Sequence, residues 1–173
     1  MTTVAKTVAK TTATGRGKVD TKKVTGRRTL RFESFDEVLT DAEKMADLDG
    51  ATIGNWSKGQ IYKHLAKSLD MMIDGPPFVV PLPMRLAFRL LMMKRMLTHT
   101  LTPGFKLPKR AAHMVPDATS TEEGLAMLRN AVARVNGTSQ RGLHPGFGKI
   151  SQQQWDAFQL RHCEMHLSFI VPS

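Results

Sequence analysis

His162 and His166 lie one helical turn apart near the C-terminal end of this 173-residue chain. Trp155, Phe158, His162, His166 and Phe169 recur at steps of three and four, so they share one face of a predicted helix. Asp156, Arg161 and Glu164 fall on the other side, where solvent is expected. Two imidazoles at i and i+4 have Cβ atoms only ~5–6 Å apart and can close on one metal ion. Burying two unpaired imidazoles costs roughly 1–3 kcal/mol each, and a shared cation satisfies both at once. A lone histidine on an apolar face is, by contrast, ordinarily a core residue with its hydrogen bonds met. His64, beside Ile61 and Leu65 on another apolar helical face, is the expected third ligand. Three neutral nitrogen ligands and one open position form a catalytic-type metal site, whereas a closed structural site takes a fourth protein ligand.

Other chemistries fit less well. A zinc-protease helix needs Glu directly after the first histidine; Cys163 stands there. Glu164, two residues after His162, is turned about 200° from it. Cys163 is ~100° off the histidine face, so it is expected to be a small core or boundary residue. No nucleophile elbow and no glycine-rich phosphate loop is present. His144, in the rigid turn His144-Pro145-Gly146-Phe147-Gly148, has two readings: it supports or lines the site, or it merely packs under Phe147. His99 and His113 have no partner pattern and read as surface residues.

These residues need helices to position them. Ser34 with Glu37, Ser57 with Gln60, Ser120 with Glu123 and Ser151 with Gln154 are four helix-start signatures. Phe35, Val38, Leu39, Ala42, Met45 and Leu48 stripe the first helix, which Asp49-Gly50 ends. Ile61, Leu65, Ser68 and Met72 mark the inner face of the second, ended by Gly75-Pro76-Pro77. Leu125, Leu128, Val132 and Val135 stripe the helix that stops at Asn136-Gly137, and the last helix is expected to reach about Ile170. Between the second and third of these four lies a basic amphipathic helix, Met84–Thr98, expected to pack apolar side inward and to show its charges to solvent. A membrane-surface helix is the sharper alternative. Residues 99–118 read as a long irregular connection of the kind that lines pockets. The expected fold is an all-α, four-helix bundle with an inserted amphipathic helix.

The net charge is +10, unevenly spread. Residues 1–31 hold nine Lys/Arg against one acid, Asp20. Residues 1–28 show no periodicity and are expected to be a disordered basic tail ahead of a helical domain over 29–173. A tether to nucleic acid or another anionic surface, and an organelle transit peptide, are sharper readings of the same stretch. The nearly neutral remainder gives no strong case for nucleic-acid binding. A single cysteine excludes an intramolecular disulfide framework and fits a reducing, cytoplasmic setting. Arg85, Arg89, Lys94 and Arg95 interrupt the longest apolar stretch, so no simple membrane span is expected.

Gly54-Asn55-Trp56-Ser57 with His64-Leu65-Ala66 resembles the second-helix signature of the DinB/YfiT-like superfamily of metalloenzymes. His144-Pro145-Gly146-Phe147-Gly148, Trp155 and Arg161-His162-x-x-x-His166-Leu167-x-Phe169 resemble its C-terminal signature, in a branch of unknown function. The likeness covers residues 28–170. Ser168, where an amide is the pattern, and the basic tail depart from it. The resemblance implies a four-helix bundle and a divalent metal on His64, His162 and His166, with Zn or Ni as the usual ions and Mn or Fe as alternatives. Trp56 and His144 are expected beside the site, behind the ligands or lining the pocket. The resemblance further implies a small-molecule substrate, a low-molecular-weight thiol as cosubstrate, and a homodimer. Fold and metal do not fix the substrate. The expected activity is therefore transfer of an activated thiol or water to a small substrate, by a transferase or hydrolase. The alternative is a helical binding module with a structural or vestigial metal site and a basic tail for an anionic partner.

Overall fold

The computed structural model describes residues 17–48, 50–105 and 109–172, and within them the chain is mostly helical. The six α-helices are α1 (Phe35–Asp47), α2 (Lys58–Asp74), α3 (Leu82–Leu91), α4 (Met93–Thr98), α5 (Thr121–Asn136) and α6 (Gln152–Leu167). A short 3-10 helix spans Lys109–Met114. All four predicted serine caps are present, each hydroxyl accepting an N–H from the third helical residue. At Ser57 and Ser151 the box is complete, because Gln60 and Gln154 accept the cap's own N–H at 3.0 Å. At Ser34 the Glu37 carboxylate instead accepts the N–H of Glu33 at 2.8 Å.

Helix α2 runs along α5, α1 packs on α5 and α6, and α2 and α4 also rest on α6. The start of α2 meets the start of α5 at a glycine pair. A Cβ on Gly59 would lie 2.2 Å from the Ser120 carbonyl, and one on Gly124 would lie 2.3 Å from the Gly59 carbonyl. Neither position has room for a side chain, so the two helices approach backbone to backbone. The predicted stripes on α1, α2 and α5 form the core with Tyr62, Leu69, Trp155 and Leu167, except that Leu48, expected on the α1 stripe, lies just past the end of the helix and is exposed.

The sequence reading is corrected at three places. The last helix ends at Leu167, short of Ile170. Residues Ile170–Val171 (β2) turn extended and pair antiparallel with Ala51–Thr52 (β1), a small sheet that the helical pattern concealed. The β-branched pair before Pro172 favours this extended course. Second, the basic helix is broken in two at Met92, and α3 turns its apolar side to solvent, with Arg89 exposed as well and Arg85 half-buried. None of its residues is buried, and Leu90 and Leu91 are 86% and 81% exposed. Third, Arg161 and Glu164 do not face solvent. Both are buried and paired at 2.7 Å.

The Arg161–Glu164 pair is covered by residues 27–32 and by the chain leaving α4. Glu164 accepts the Phe32 N–H at 2.9 Å and the Thr100 hydroxyl at 2.7 Å. Arg161 donates to the Phe32 carbonyl. Arg28 binds Asp41 with two bonds of 2.7 Å and also donates to the carbonyls of Leu167 and Ile170. It thereby satisfies a carbonyl that the end of α6 leaves without a helical partner. Arg27 donates to the Ser168 hydroxyl at 2.9 Å. Residues 1–16 of the expected tail lie outside the described residues, while Arg27 and Arg28, at its other end, are bound to the helical body. No helix among the described residues is long and apolar enough to cross a membrane.

Removing one partner of a buried ion pair leaves the other charge uncompensated, at a cost of about 3–5 kcal/mol. Arg161→Met is therefore expected to lower the unfolding free energy by about 3 kcal/mol or more, read from urea titrations. An unchanged midpoint would show that Glu164 does not depend on this partner.

Candidate metal centre

His64 comes from the middle of α2, and His162 and His166 from the last two turns of α6. Each offers one ring nitrogen, and these atoms all lie within 4.8 Å of one another. His64 Nε2 and His162 Nε2 lie 3.4 Å apart. Ring centroids of His166 lie 4.5 Å from His64 and 4.7 Å from His162. His64 is buried; the other two keep a partly exposed edge, so the cluster sits at the rim of the core.

The hydrogen bonds behind the rings fix where their protons are. His64 Nδ1 lies 2.8 Å from the Met114 carbonyl, which can only accept, so Nδ1 carries the proton and Nε2 is bare. Gln159 must point its amide NH2 at the Ser68 carbonyl, 2.9 Å away, which turns its Oε1 toward His162 Nδ1 at 3.0 Å. The Ser68 hydroxyl donates to the same oxygen at 3.1 Å. His162 Nδ1 therefore donates, and His162 Nε2 is bare as well. Two unprotonated nitrogens thus face each other at 3.4 Å with no proton between them. That contact is repulsive alone and favourable around a shared cation. Two nitrogens bound tetrahedrally with bonds of ~2.0–2.1 Å stand about 3.3–3.4 Å apart, so the observed gap fits.

Trp56, in the loop before α2, stacks on His166 at 5.3 Å with planes 7° apart and lies 4.9 Å from His64. The sheet places it there. The Ile53 N–H donates to the Phe169 carbonyl at 3.0 Å, clamping the loop to the end of α6. The irregular connection also contributes, through Met114 at the end of its 3-10 helix.

Burial dominates the electrostatics. It lowers His64 below the usual histidine range, against the raising effect of the Met114 hydrogen bond. His162 is pushed down to about 3 by burial, then by the neighbouring His64 and His144. His166 is held well below its ordinary value by burial, then by His64, His162 and Arg27. All three rings are neutral near pH 7, the form that binds metal.

The other candidates stand apart. His144 is buried outside the cluster. Its Nδ1 accepts the N–H groups of Gly146 and Phe147 at 3.0 Å, so its proton lies on Nε2. That N–H has no hydrogen-bond partner among the described residues and sits among Phe147, Trp155 and Phe158. Phe158 in turn stacks against His162 at 6.2 Å. Cys163 is fully buried and outside the cluster, and burial pushes its thiol pKa up, which disqualifies it as a nucleophile. His99 and His113 are exposed. Sequence reasoning missed Gln159 and the Met114 carbonyl. Gln159 carried a readable signal, a polar amide three residues before His162 on an otherwise apolar flank. A backbone carbonyl carries none.

Residues 24–173 match the model of a protein family of unknown function, DUF1569, and the chain belongs to that family. No curated protein and no solved structure matches it.

The buried imidazoles make stability depend on pH. His144 and His162 both have folded pKa values of about 3, against ~6.5 in an unfolded chain. Below about pH 6.5 the unfolded chain takes up protons that the fold refuses. Metal-free protein is therefore expected to lose up to ~1.4 kcal/mol per pH unit for each such histidine between about pH 6.5 and pH 5. Guanidinium titrations at several pH values check this; a flat profile across that window would contradict it.

Proposed function

We propose that His64, His162 and His166 bind one divalent cation and that the chain is a metal-dependent enzyme of the DinB/YfiT-like kind. In this reading α1, α2, α5 and α6 form that superfamily's four-helix bundle, with α3 and α4 inserted between its second and third helices. One observation carries the proposal. Hydrogen bonds from Met114 and Gln159 leave two bare imidazole nitrogens facing each other at 3.4 Å, which only a cation reconciles with neutral rings.

The donor set narrows the metal. An all-imidazole group suits Zn or Ni, whereas Mn favours carboxylate, and no carboxylate among the described residues joins the three histidines. Three protein ligands leave room for a reactant. When bound, the ion supplies Lewis acidity that favours the anionic form of a thiol or water near neutral pH. The protein's own contribution is positional. Gln159 and Met114 hold the ring orientations, Trp56 walls one side, and the buried flank behind His162 excludes water. Glu164 is turned to the opposite side of α6 and is occupied by Phe32, Thr100 and Arg161, so it is no proton carrier for the site. That fits chemistry resting on the ion and a low-molecular-weight thiol, transferred to a small electrophile.

Elemental analysis and calorimetry test this. Wild-type protein is expected to bind one Zn or Ni per chain, and His162→Ala to lose it. Gln159→Leu frees the His162 ring and should weaken binding about 10–100-fold. Equal metal content in wild type and His162→Ala would refute the site. Metal binding without turnover across a panel of thiols and electrophiles would favour a structural ion in a binding module.

A further inference from the structure

We infer that α3 docks this protein on an anionic lipid surface. The helix is inverted relative to an ordinary surface helix. Leu82, Met84, Leu86, Leu90 and Leu91, with Pro83 and Ala87 between them, form a continuous apolar arc of about 200°, and every one of these side chains is exposed. The narrower remainder carries the half-buried Arg85 and Phe88 and, at its edge, the exposed Arg89. Phe88 packs against the core, and Arg89 donates to the Lys149 carbonyl at 3.3 Å. The segment ahead of the helix is fixed too, by the Val80 N–H donating to the Pro145 carbonyl at 2.9 Å. The apolar arc is thus held outward by its inner contacts. Contiguous exposed apolar surface of this kind marks an interaction site.

Charge selects the occupant. Residues 75–116 contain seven Lys/Arg and no Asp or Glu, whereas residues 32–74 hold nine acids against four Lys/Arg. Exposed Arg89, Lys94 and Arg95 lie on or beside the helix. An apolar face inside an acid-free basic segment complements a layer that is apolar within and anionic at its surface. A second copy meeting this face would bring two such basic segments together, which opposes self-association. Ten residues span about 15 Å, half of a bilayer core, so the helix can lie only in the plane of the interface.

Co-sedimentation of the full chain with vesicles tests this. One set is phosphatidylcholine alone, the other phosphatidylcholine and phosphatidylserine in equal parts. Wild-type protein is expected to bind the mixed vesicles and to bind the neutral ones at least tenfold more weakly. The double variant Leu90→Ser/Leu91→Ser keeps every charge and alters only exposed side chains. It should lose at least tenfold in affinity for the mixed vesicles with an unchanged circular dichroism spectrum. Undiminished binding by the variant would assign the attraction to basic residues elsewhere and overturn the proposal. So would no binding by wild type, or a wild-type dimer that the substitutions convert to a monomer.

Discussion

The contact between His64 and His162 is the point on which the rest of the site depends. Their Nε2 atoms meet at 3.4 Å, and both are bare because their partners across the ring are acceptors. Two helices from distant parts of the chain must lie at a fixed distance and rotation for this to occur. The close packing of α2 on α5, made possible where Gly59 and Gly124 leave no side chain between the backbones, sets one side. The position of α6 sets the other.

Helix α6 is secured at its far end by unusually many polar ties. Arg28 caps its last carbonyl and pairs with Asp41, Arg27 reaches Ser168, and the buried Glu164 gathers Phe32, Thr100 and Arg161. The small sheet then binds Ile170 to the loop carrying Trp56. A helix held this way cannot rotate freely about its axis, and rotation would separate His162 and His166 from His64. The polar layer on one side of α6 thus fixes the imidazole layer on the other. The same packing keeps the rings neutral, since burial opposes their protonation.

Much of this was legible in the sequence because it is local. Serine caps followed by Glu or Gln and apolar residues at helical spacing each depend on a few neighbouring positions. The pairing of His162 with His166 is a periodicity of the same kind, and the alignment of His64 with an apolar face made it the natural third member. What stayed hidden depends on contacts between distant segments. Arg161 and Glu164 look like a solvated pair on any helical wheel; only the strand of chain at Phe32 and the hydroxyl of Thr100 show why they are inside. Ile170 and Val171 continue a helical pattern until Ala51 and Thr52 offer them a ladder. In α3 the wheel distinguishes two faces correctly, but amphipathicity alone does not say which one turns inward.

X-ray absorption at the metal edge of zinc-loaded, full-length protein reads the three-histidine site itself. The expected spectrum is that of a four-coordinate ion whose scattering requires three imidazoles at about 2.0–2.1 Å and one further light atom. A six-oxygen shell, or a spectrum satisfied without imidazole scattering, would contradict it.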